Sequence, residues 1–216
     1  MSATSAEVRA PLKPLGRSFF DRPTETVARA LLGVWVVRST PDGLSAGPIV
    51  ETEAYGGPDD LASHSRAGRT RRTTPMFGEV GHAYVYLVYG MHQCLNVVAY
   101  NGREAGAVLI RAIAPVLGVD DIRRRRGRPT DPTYRLCSGP AKLCQGLAVD
   151  RSFDGHDLTL GEGLWLAAPG APVGLRVQSE TQIASGARIG VDYAGEWAAR
   201  PWRFWLAGNR SVSRQR

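Results

Sequence analysis

The sequence predicts an α+β domain on a mostly antiparallel β-sheet. Three consecutive apolar, β-branched or aromatic runs are separated only by short turns, and they span residues 82–89, 93–100 and 107–114. This meander is typical of antiparallel strands. The other strand-like runs are short and few helices interrupt them, which favours α+β over a doubly wound α/β fold. The 216 residues show no internal repeat or linker, so we expect one domain over residues 15–216.

The first 79 residues predict an arm, one helix and two strands. Residues 1–14 are expected to form a mobile arm. A short helix is predicted over 23–32, with Thr24 as N-cap and Gly33 as the stop. Strands at 34–39 and 48–55 are joined through the strong turn signal Pro41-Asp42-Gly43. Residues 56–79, rich in Gly, Pro, Arg and Thr, are expected to be mostly loop, with a short helix around 59–63.

The second half predicts peripheral helices and short strands. The meander of residues 82–114 is followed by a helix that runs from Gly118 into an arginine run, and Gly139-Pro140 begins another helix through Gln145. Three more short strands are predicted at 164–167, 173–177 and 202–207.

Charge gives the first indication of a partner. The net charge is +7, the pI is about 9.8, and 25 of the 27 cationic side chains are arginines. They cluster at Arg66, Arg69, Arg71 and Arg72, and again at 123–126 with Arg128. Genome composition could explain the preference for Arg over Lys, but it explains neither the clustering nor the excess charge. Phosphate contacts, and hence a nucleic-acid partner, explain both better.

Several classes of protein are disfavoured. No run of 18 apolar residues predicts a membrane span, and the N-terminus lacks the apolar core of a secretion signal, so we expect a cytoplasmic protein. The three cysteines have no CxxC spacing, which favours reduced, buried thiols. The four histidines form no ligand cluster. We therefore expect neither a metal nor another cofactor.

The strand at 48–55 carries the strongest chemical signal. Its period of two residues puts Glu51, Glu53 and Tyr55 on one face, about 7 Å apart per step. Two carboxylates beside an aromatic ring are hard to explain as packing. They indicate a site where one carboxylate acts as a base next to a flat, stacked ligand.

Four further residues have both a structural and a functional interpretation. Tyr89 is placed at a hairpin tip, where it either covers the sheet edge or enters a base stack as a wedge. Asn96 interrupts an apolar run, so its amide either bonds the backbone or contacts a ligand. Arg111 in a central strand needs a carboxylate or a phosphate. His64 alone would be a surface loop residue. Together, these side chains are what an enzyme needs to extract a nucleotide and act on it.

Five sequence blocks resemble the alkyladenine (3-methyladenine) DNA glycosylase family. They occur in that family's order and spacing, from about residue 15 to 208, and they read IVETEAY at 49–55, ASHS at 62–65, YVYLVYGM at 84–91, LCSGPAKLCQ at 136–145 and AGEW at 194–197. The resemblance implies a compact bacterial-type enzyme with one α/β domain on a curved antiparallel sheet with a protruding hairpin. It implies cleavage of the N-glycosidic bond of a damaged purine flipped out of double-stranded DNA. The damaged purines of that class are 3-methyladenine, 7-methylguanine, hypoxanthine and ethenoadenine.

The resemblance also implies roles for single residues. Glu53 matches the general base that activates a water, and Arg111 matches an arginine near that water and the flipped nucleotide's phosphate. The matches to the base pocket are Tyr55, His64 and Tyr86 as stacking walls, and Asn96 as the amide that crowds the 2-amino group of guanine. Tyr89 matches the residue that intercalates into the duplex. Contacts to the DNA backbone are expected from Arg69, Arg71, Arg72, Met91, His92 and Lys142.

Two alternatives stay open. Lys13 and Lys142 are the only lysines, and neither suits an amine nucleophile at C1′, so we expect a monofunctional enzyme without a lyase step. The family's fold also resembles the tRNA-binding domain of methionyl-tRNA formyltransferase, so a non-catalytic RNA-binding module is the second interpretation. His92 and Tyr193 depart from the vertebrate pattern at the DNA surface or pocket. We further expect a monomer that is associated with the nucleoid.

Glu51 has two possible roles. It either holds neighbouring backbone or arginine groups, or it raises the proton affinity of Glu53 by like-charge repulsion.

Overall fold

The structure, a computed structural model, describes residues 12–100, 105–168 and 183–213. Within these ranges, eight strands form one antiparallel sheet and four short α-helices lie around it, which confirms the predicted α+β domain. The predicted strand at 173–177 and residues 1–11 of the predicted arm lie outside the described residues. No helix in the described ranges has the length and apolar character needed to cross a membrane.

The strands follow the predicted meander and extend it. Their bounds are β1 Trp35–Thr40, β2 Gly43–Tyr55, β3 Ala83–Val88, β4 His92–Val98, β5 Ala107–Ile113, β6 Leu164–Ala167, β7 Ile183–Gly186 and β8 Arg203–Leu206. The order across the sheet is β3-β4-β5-β2-β1-β6, and β8 joins the second half of β2 and pairs with β7. The sequence did not predict β7. The turn at residues 41–43 is tighter than expected, so β2 begins at Gly43 instead of Pro48.

The helices differ from prediction in three places. Their bounds are α1 Thr24–Ala30, α2 Val119–Arg126, α3 Thr133–Leu136 and α4 Pro140–Gly146, and the sequence did not predict the single turn α3. The prediction of Thr24 as N-cap is wrong, since Pro23 occupies that position with extended ψ. The helix predicted at 59–63 is also wrong. The Asp60 carboxylate accepts hydrogen bonds from the amides of Gly56 and Ala62, which turns the chain there.

The sheet has an apolar core on one face. Alternate residues of the central strands point into it, including Val50, Ala54, Val108 and Ile110. Helices α1 and α4 cover this face, and the Thr52 hydroxyl donates to the Ala28 carbonyl to fix α1 on β2. The three cysteines are buried and free, as predicted. The opposite face of β2 to β5 is therefore left for the polar and aromatic side chains.

Candidate active site

The candidate site lies on the face of the sheet opposite the core. Glu53 pairs with Leu109, Leu109 with Asn96, and Asn96 with Tyr84, so these four side chains form one row across β2, β5, β4 and β3. Antiparallel partners point to the same face, which places residues two positions away on that face too. Strand pairing and the two-residue alternation along each strand therefore bring distant parts of the chain together on this face.

These strands and two loops enclose a cavity of about 490 Å³. This volume lies in the usual range for small-molecule sites. The sheet supplies one side of the cavity, the loop at 62–76 supplies another, and the segment 189–193 supplies a third. The predicted pocket residues Tyr55, His64, Tyr86 and Asn96 line it, as does Arg111, which was predicted to be catalytic, and Tyr89 lies at its rim.

Glu53 is fully buried beside this cavity and its carboxylate is held from three directions. Oε1 accepts a hydrogen bond from the backbone amide of Ile189 at 2.7 Å. Oε2 accepts one from the Tyr55 hydroxyl at 2.9 Å and forms an ion pair with Arg111 Nη1 at 3.0 Å. A carboxylate offers about four lone-pair positions. One acceptor position of the carboxylate is thus without a donor from the described residues.

Arg111 lies between the two carboxylates of β2. Its Nε donates to Glu51 Oε1 at 2.9 Å, while Nη1 contacts Glu53. Strand β2 pairs with β5 before and after this point. At Glu51 the register shifts, so Glu51 is opposite Ala112 instead of Arg111 and the ladder is distorted there. Burial works against the charged guanidinium, yet Glu53 and Glu51 raise the pKa of Arg111 above its ordinary value. Arg111 is thus a fixed cation at the cavity wall.

Glu51 holds neighbouring groups, the first of the two roles that the sequence left open. Its carboxylate accepts hydrogen bonds from Arg111 Nε, Arg203 Nε, and both the amide and the hydroxyl of Ser213. Arg111 comes from β5 and Arg203 from β8, the two strands that flank this half of β2. The two carboxylates therefore face two guanidinium groups in one buried cluster.

The loop after β7 is anchored by a second buried ion pair. Arg188 contacts both oxygens of Asp60, at 2.6 Å and 2.9 Å, and also donates to the Ala54 carbonyl. This pair fixes the backbone beside Ile189, whose amide bonds Glu53. Sequence reasoning missed this role for Ile189, because a backbone donor leaves no side-chain signature. The position of Ile189 shortly before the AGEW block is the one indication of this role in the sequence.

The aromatic walls meet at close, mostly edge-on angles. The ring centroids of His64 and Tyr86 are 4.6 Å apart, and His64 Nδ1 lies 3.0 Å from the Tyr84 hydroxyl. Burial and the adjacent Glu53 raise the pKa of Tyr55 well above its ordinary value, and burial likewise raises the pKa of Tyr86. Burial, with Arg72 and Arg66, lowers the pKa of His64 to about 4. At neutral pH all these rings are uncharged. Tyr84 received no role from the sequence, although its position two residues before Tyr86 placed it on the same face.

Asn96 bonds the backbone, the first of the two roles that the sequence left open, and contact with a ligand stays a prediction. Asn96 is buried on β4, and its Nδ2 donates to the Tyr84 carbonyl at 3.0 Å. The same side chain also lines the cavity. The bond to Tyr84 fixes the amide plane, so the rest of the amide is presented to the cavity in a defined orientation.

The hairpin between β3 and β4 forms an exposed rim. Tyr89 is 89% exposed and has a left-handed backbone with φ 51°, which a residue with a side chain rarely adopts. Gly90 follows with φ 70°, and Met91 is 71% exposed. His92 begins β4 and is exposed as well. The hairpin therefore presents an aromatic ring to solvent at the cavity mouth, and a strained residue in such a place often has a function.

The two arginine clusters differ in their surroundings. In the loop after residue 64, Arg66 lies over the Tyr193 ring at 5.4 Å, and Arg72 lies over the Tyr86 ring at 5.2 Å, where it lines the cavity. Arg69 donates to the Phe77 carbonyl, and Arg71 is exposed. Lys142, on α4, donates to Ser138 at 3.4 Å and does not line the cavity.

The four arginines of α2 have protein partners. Arg123 pairs with Asp120, Arg124 with Asp121 and Asp42, and Arg125 and Arg126 donate to backbone carbonyls at 3.2 Å and 3.1 Å. These contacts fix α2 against the rest of the fold. Spacing along the sequence could not separate this cluster from the one beside the cavity, because several of the partners are distant in the chain.

Comparison with known proteins identifies the family of this chain. The family model of methylpurine-DNA glycosylase matches residues 18–210. The mouse and human DNA-3-methyladenine glycosylases are 46% and 44% identical over 92% and 94% of this chain, which spans only 61% and 68% of those proteins. A protein of Methanocella arvoryzae, provisionally named a 3-methyladenine DNA glycosylase, is 44% identical over 93% of this chain and 96% of its own length. This chain therefore belongs to the methylpurine-DNA glycosylase family.

Proposed function

We propose that this protein is a monofunctional DNA glycosylase that removes alkylated or deaminated purines from double-stranded DNA. The purine flips into the cavity, and a water activated by Glu53 cleaves the N-glycosidic bond to leave an abasic site. The observation that carries the proposal is the buried Glu53 carboxylate, held by Tyr55, Arg111 and Ile189 beside a cavity lined by aromatic rings.

The chemistry needs a carboxylate in this environment. Departure of the base develops oxocarbenium character on the deoxyribose, as in glycoside hydrolysis. The C1′–N bond breaks and its electron pair leaves with the purine, while the water oxygen bonds to C1′ and gives its proton to Glu53. The remaining acceptor position of Glu53 suits that water, and the fixed negative charge stabilises the cationic sugar.

The cavity favours a purine that already carries positive charge. Alkylation at N3 or N7 makes the purine cationic and a good leaving group. The rings of Tyr55 and Tyr86 attract such a cation through their electron-rich faces, and a neutral His64 does not repel it. We propose 3-methyladenine and 7-methylguanine, which carry this charge, and the neutral purines hypoxanthine and ethenoadenine as the substrate class. Asn96, fixed by its bond to Tyr84, would reject guanine by crowding its 2-amino group.

The exposed hairpin suits entry into duplex DNA. Tyr89 presents a flat ring to solvent at the mouth of the cavity. Such a ring can occupy the space that a flipped nucleotide leaves, as the inserted wedges of other DNA-binding proteins do. The residues proposed to contact the DNA backbone are Arg69, Arg71, Arg72, Met91, His92 and Lys142.

Base release from defined duplexes tests the proposal. Wild-type protein is incubated with duplexes that carry one ethenoadenine or one hypoxanthine, and with methylated DNA, and the free base is measured by chromatography. We expect free base, an abasic product without strand cleavage, and no adduct after borohydride reduction, since neither lysine of the chain lines the cavity. Binding to these DNAs without release of any base would contradict the proposal and favour a non-catalytic binding module.

We also propose that the protein acts as a monomer on DNA in the cytoplasm, at the nucleoid.

A further inference from the structure

Glu51 is a fully buried carboxylate that the proposed reaction does not use. It lies one strand step from Glu53, and it accepts four hydrogen bonds of 2.7–2.9 Å. Three of them reach Oε1, from Arg111, Arg203 and the Ser213 hydroxyl, and the Ser213 amide reaches Oε2. Glu51 thus joins three separate parts of the chain behind the cavity.

The cluster is neutral but costly to bury. It contains the carboxylates of Glu51 and Glu53 and the guanidiniums of Arg111 and Arg203, whose side chains are at most 9% exposed. Buried ion pairs seldom stabilise a fold more than apolar side chains of similar volume would. A stability role alone therefore explains this arrangement poorly, and its position beside the catalytic carboxylate suggests another role.

Glu51 fixes the orientation of the Arg111 guanidinium. The group is planar, so an acceptor at Nε determines where its other nitrogens lie. With Nε on Glu51, Nη1 reaches Glu53 at 3.0 Å and Nη2 lies 3.4 Å from the Ser213 hydroxyl. Within the described residues, two of its five N–H groups have no protein acceptor at hydrogen-bond distance, and Arg111 lines the cavity. These two N–H groups are available to the water or the substrate.

We propose that Glu51 is a positioning residue for base excision, which holds Arg111 against Glu53 and balances the charge of Arg203. This inference rests on the proposed function. Glu51 touches neither the base nor the water, and it acts through Arg111.

Charge balance gives the inference a distinctive pH signature. Loss of the Glu51 charge leaves two guanidinium groups facing Glu53 alone, so this carboxylate holds its charge to lower pH and accepts a proton less readily. In a plot of activity against pH, the acid limb is the part where activity falls at low pH. This limb should therefore move to lower pH, while the rate itself falls. The other charged or titratable groups that face the cluster are Tyr55 on β2, Tyr86 on β3, Cys94 on β4 and Arg188 in the loop after β7.

The test compares Glu51→Gln with wild type in single-turnover base release across pH. We expect a rate loss of about 100-fold, as small misplacements of catalytic groups cause, and an acid limb lower by roughly one pH unit. Affinity for the lesion duplex should stay within about twofold of wild type, which is a difference well below the tenfold that 1.4 kcal/mol gives. A Glu51→Gln rate and acid limb equal to wild type would overturn the inference but leave the proposed function intact. If wild type itself released no base, both would fail.

Two further variants separate positioning from folding. Asp157→Asn removes a carboxylate that pairs with Arg17 away from the cavity, and it should leave the acid limb unchanged. The double variant Glu51→Gln/Arg203→Gln removes one charge of each sign. It should return the acid limb towards wild type while the rate stays reduced, and it carries the test if Glu51→Gln alone does not fold. A double variant with the full wild-type rate would refute a positioning role for Glu51.

Discussion

The floor and the rim of the cavity are organised in opposite ways. The floor, which we define as the charged cluster of Glu51, Glu53 and Arg111, is buried; Arg111 lines the cavity and the two carboxylates lie behind it, with partners within the protein. The rim, which we define as Tyr89, Met91 and Tyr193, is 89%, 71% and 62% exposed. In the proposed function, the floor is thus arranged before DNA arrives, whereas the rim gains its main contacts from DNA.

This difference separates two steps of the reaction. Substitutions in the floor should slow bond cleavage and leave binding of the lesion duplex nearly unchanged. Substitutions at the rim should weaken binding and flipping, because they remove contacts that form only with DNA. Four substitutions in and around the two regions test this separation, and their expected effects decrease from Glu53 to Tyr89, Arg71 and His64.

Glu53→Gln should have the largest effect. Removal of a general base costs about 10²–10⁴-fold in rate, and a glutamine amide at this position cannot take the proton of the water. Single-turnover base release should fall by about that factor, while the duplex affinity, measured by fluorescence anisotropy, stays close to wild type. A large loss of affinity would instead show that Glu53 holds the fold or the base.

Tyr89→Ala should weaken binding of the lesion duplex. Stacking of one base on an aromatic ring is worth about 1–3 kcal/mol, so the affinity should fall by roughly 10- to 100-fold. Tyr89→Phe keeps the ring and is the matched control, with an affinity near that of wild type. An affinity unchanged in Tyr89→Ala would refute the intercalating role.

Arg71→Gln should change the salt dependence of DNA binding. Loss of one phosphate contact lowers the slope of log affinity against log salt by about one. The matched control is Arg124→Gln on α2, where Arg124 already pairs with Asp121 and Asp42, and its slope should equal that of wild type. The reverse result would assign DNA contact to α2.

His64 should produce the smallest effect, on stability at acidic pH. Its pKa is lowered to about 4 in the folded protein, below the ordinary 6.5, so the unfolded chain binds more protons between these values. The His64 contribution to stability is therefore present above about pH 6.5 and is lost as the pH falls towards 4. The melting temperature of His64→Gln should fall less than that of wild type over this window. An equal fall in both proteins would contradict the lowered pKa.

Much of the arrangement of the site could be predicted from the sequence, because the alternation of side chains along a strand depends only on the local sequence. The alternation in residues 48–55 placed Glu51, Glu53 and Tyr55 on one face, and the meander put Tyr86 and Asn96 on neighbouring strands. The family resemblance assigned roles that period alone could not, since it separated Glu53 from Glu51.

The features that could not be predicted from the sequence depend on contacts between residues that are far apart in the chain. Ser213 and Arg203 reach Glu51 from positions over 150 residues away, and the backbone amide of Ile189 reaches Glu53 in the same way. The caps and single turns, such as Pro23 before α1 and the helix α3, depend on local geometry that propensities describe poorly. The protein partners of the arginines at 123–126 could not be predicted, because composition does not reveal which cations have carboxylate partners.

A lesion placed opposite a mismatched base tests the separation of floor and rim most directly. Flipping costs least from a mismatched pair, so single-turnover release from this duplex depends mainly on bond cleavage. We expect the deficit of Tyr89→Ala to shrink on the mismatched duplex relative to the matched one, while the deficit of Glu53→Gln persists in full. Release of base by Glu53→Gln at the wild-type rate from the mismatched duplex would rule out Glu53 as the residue on which bond cleavage depends.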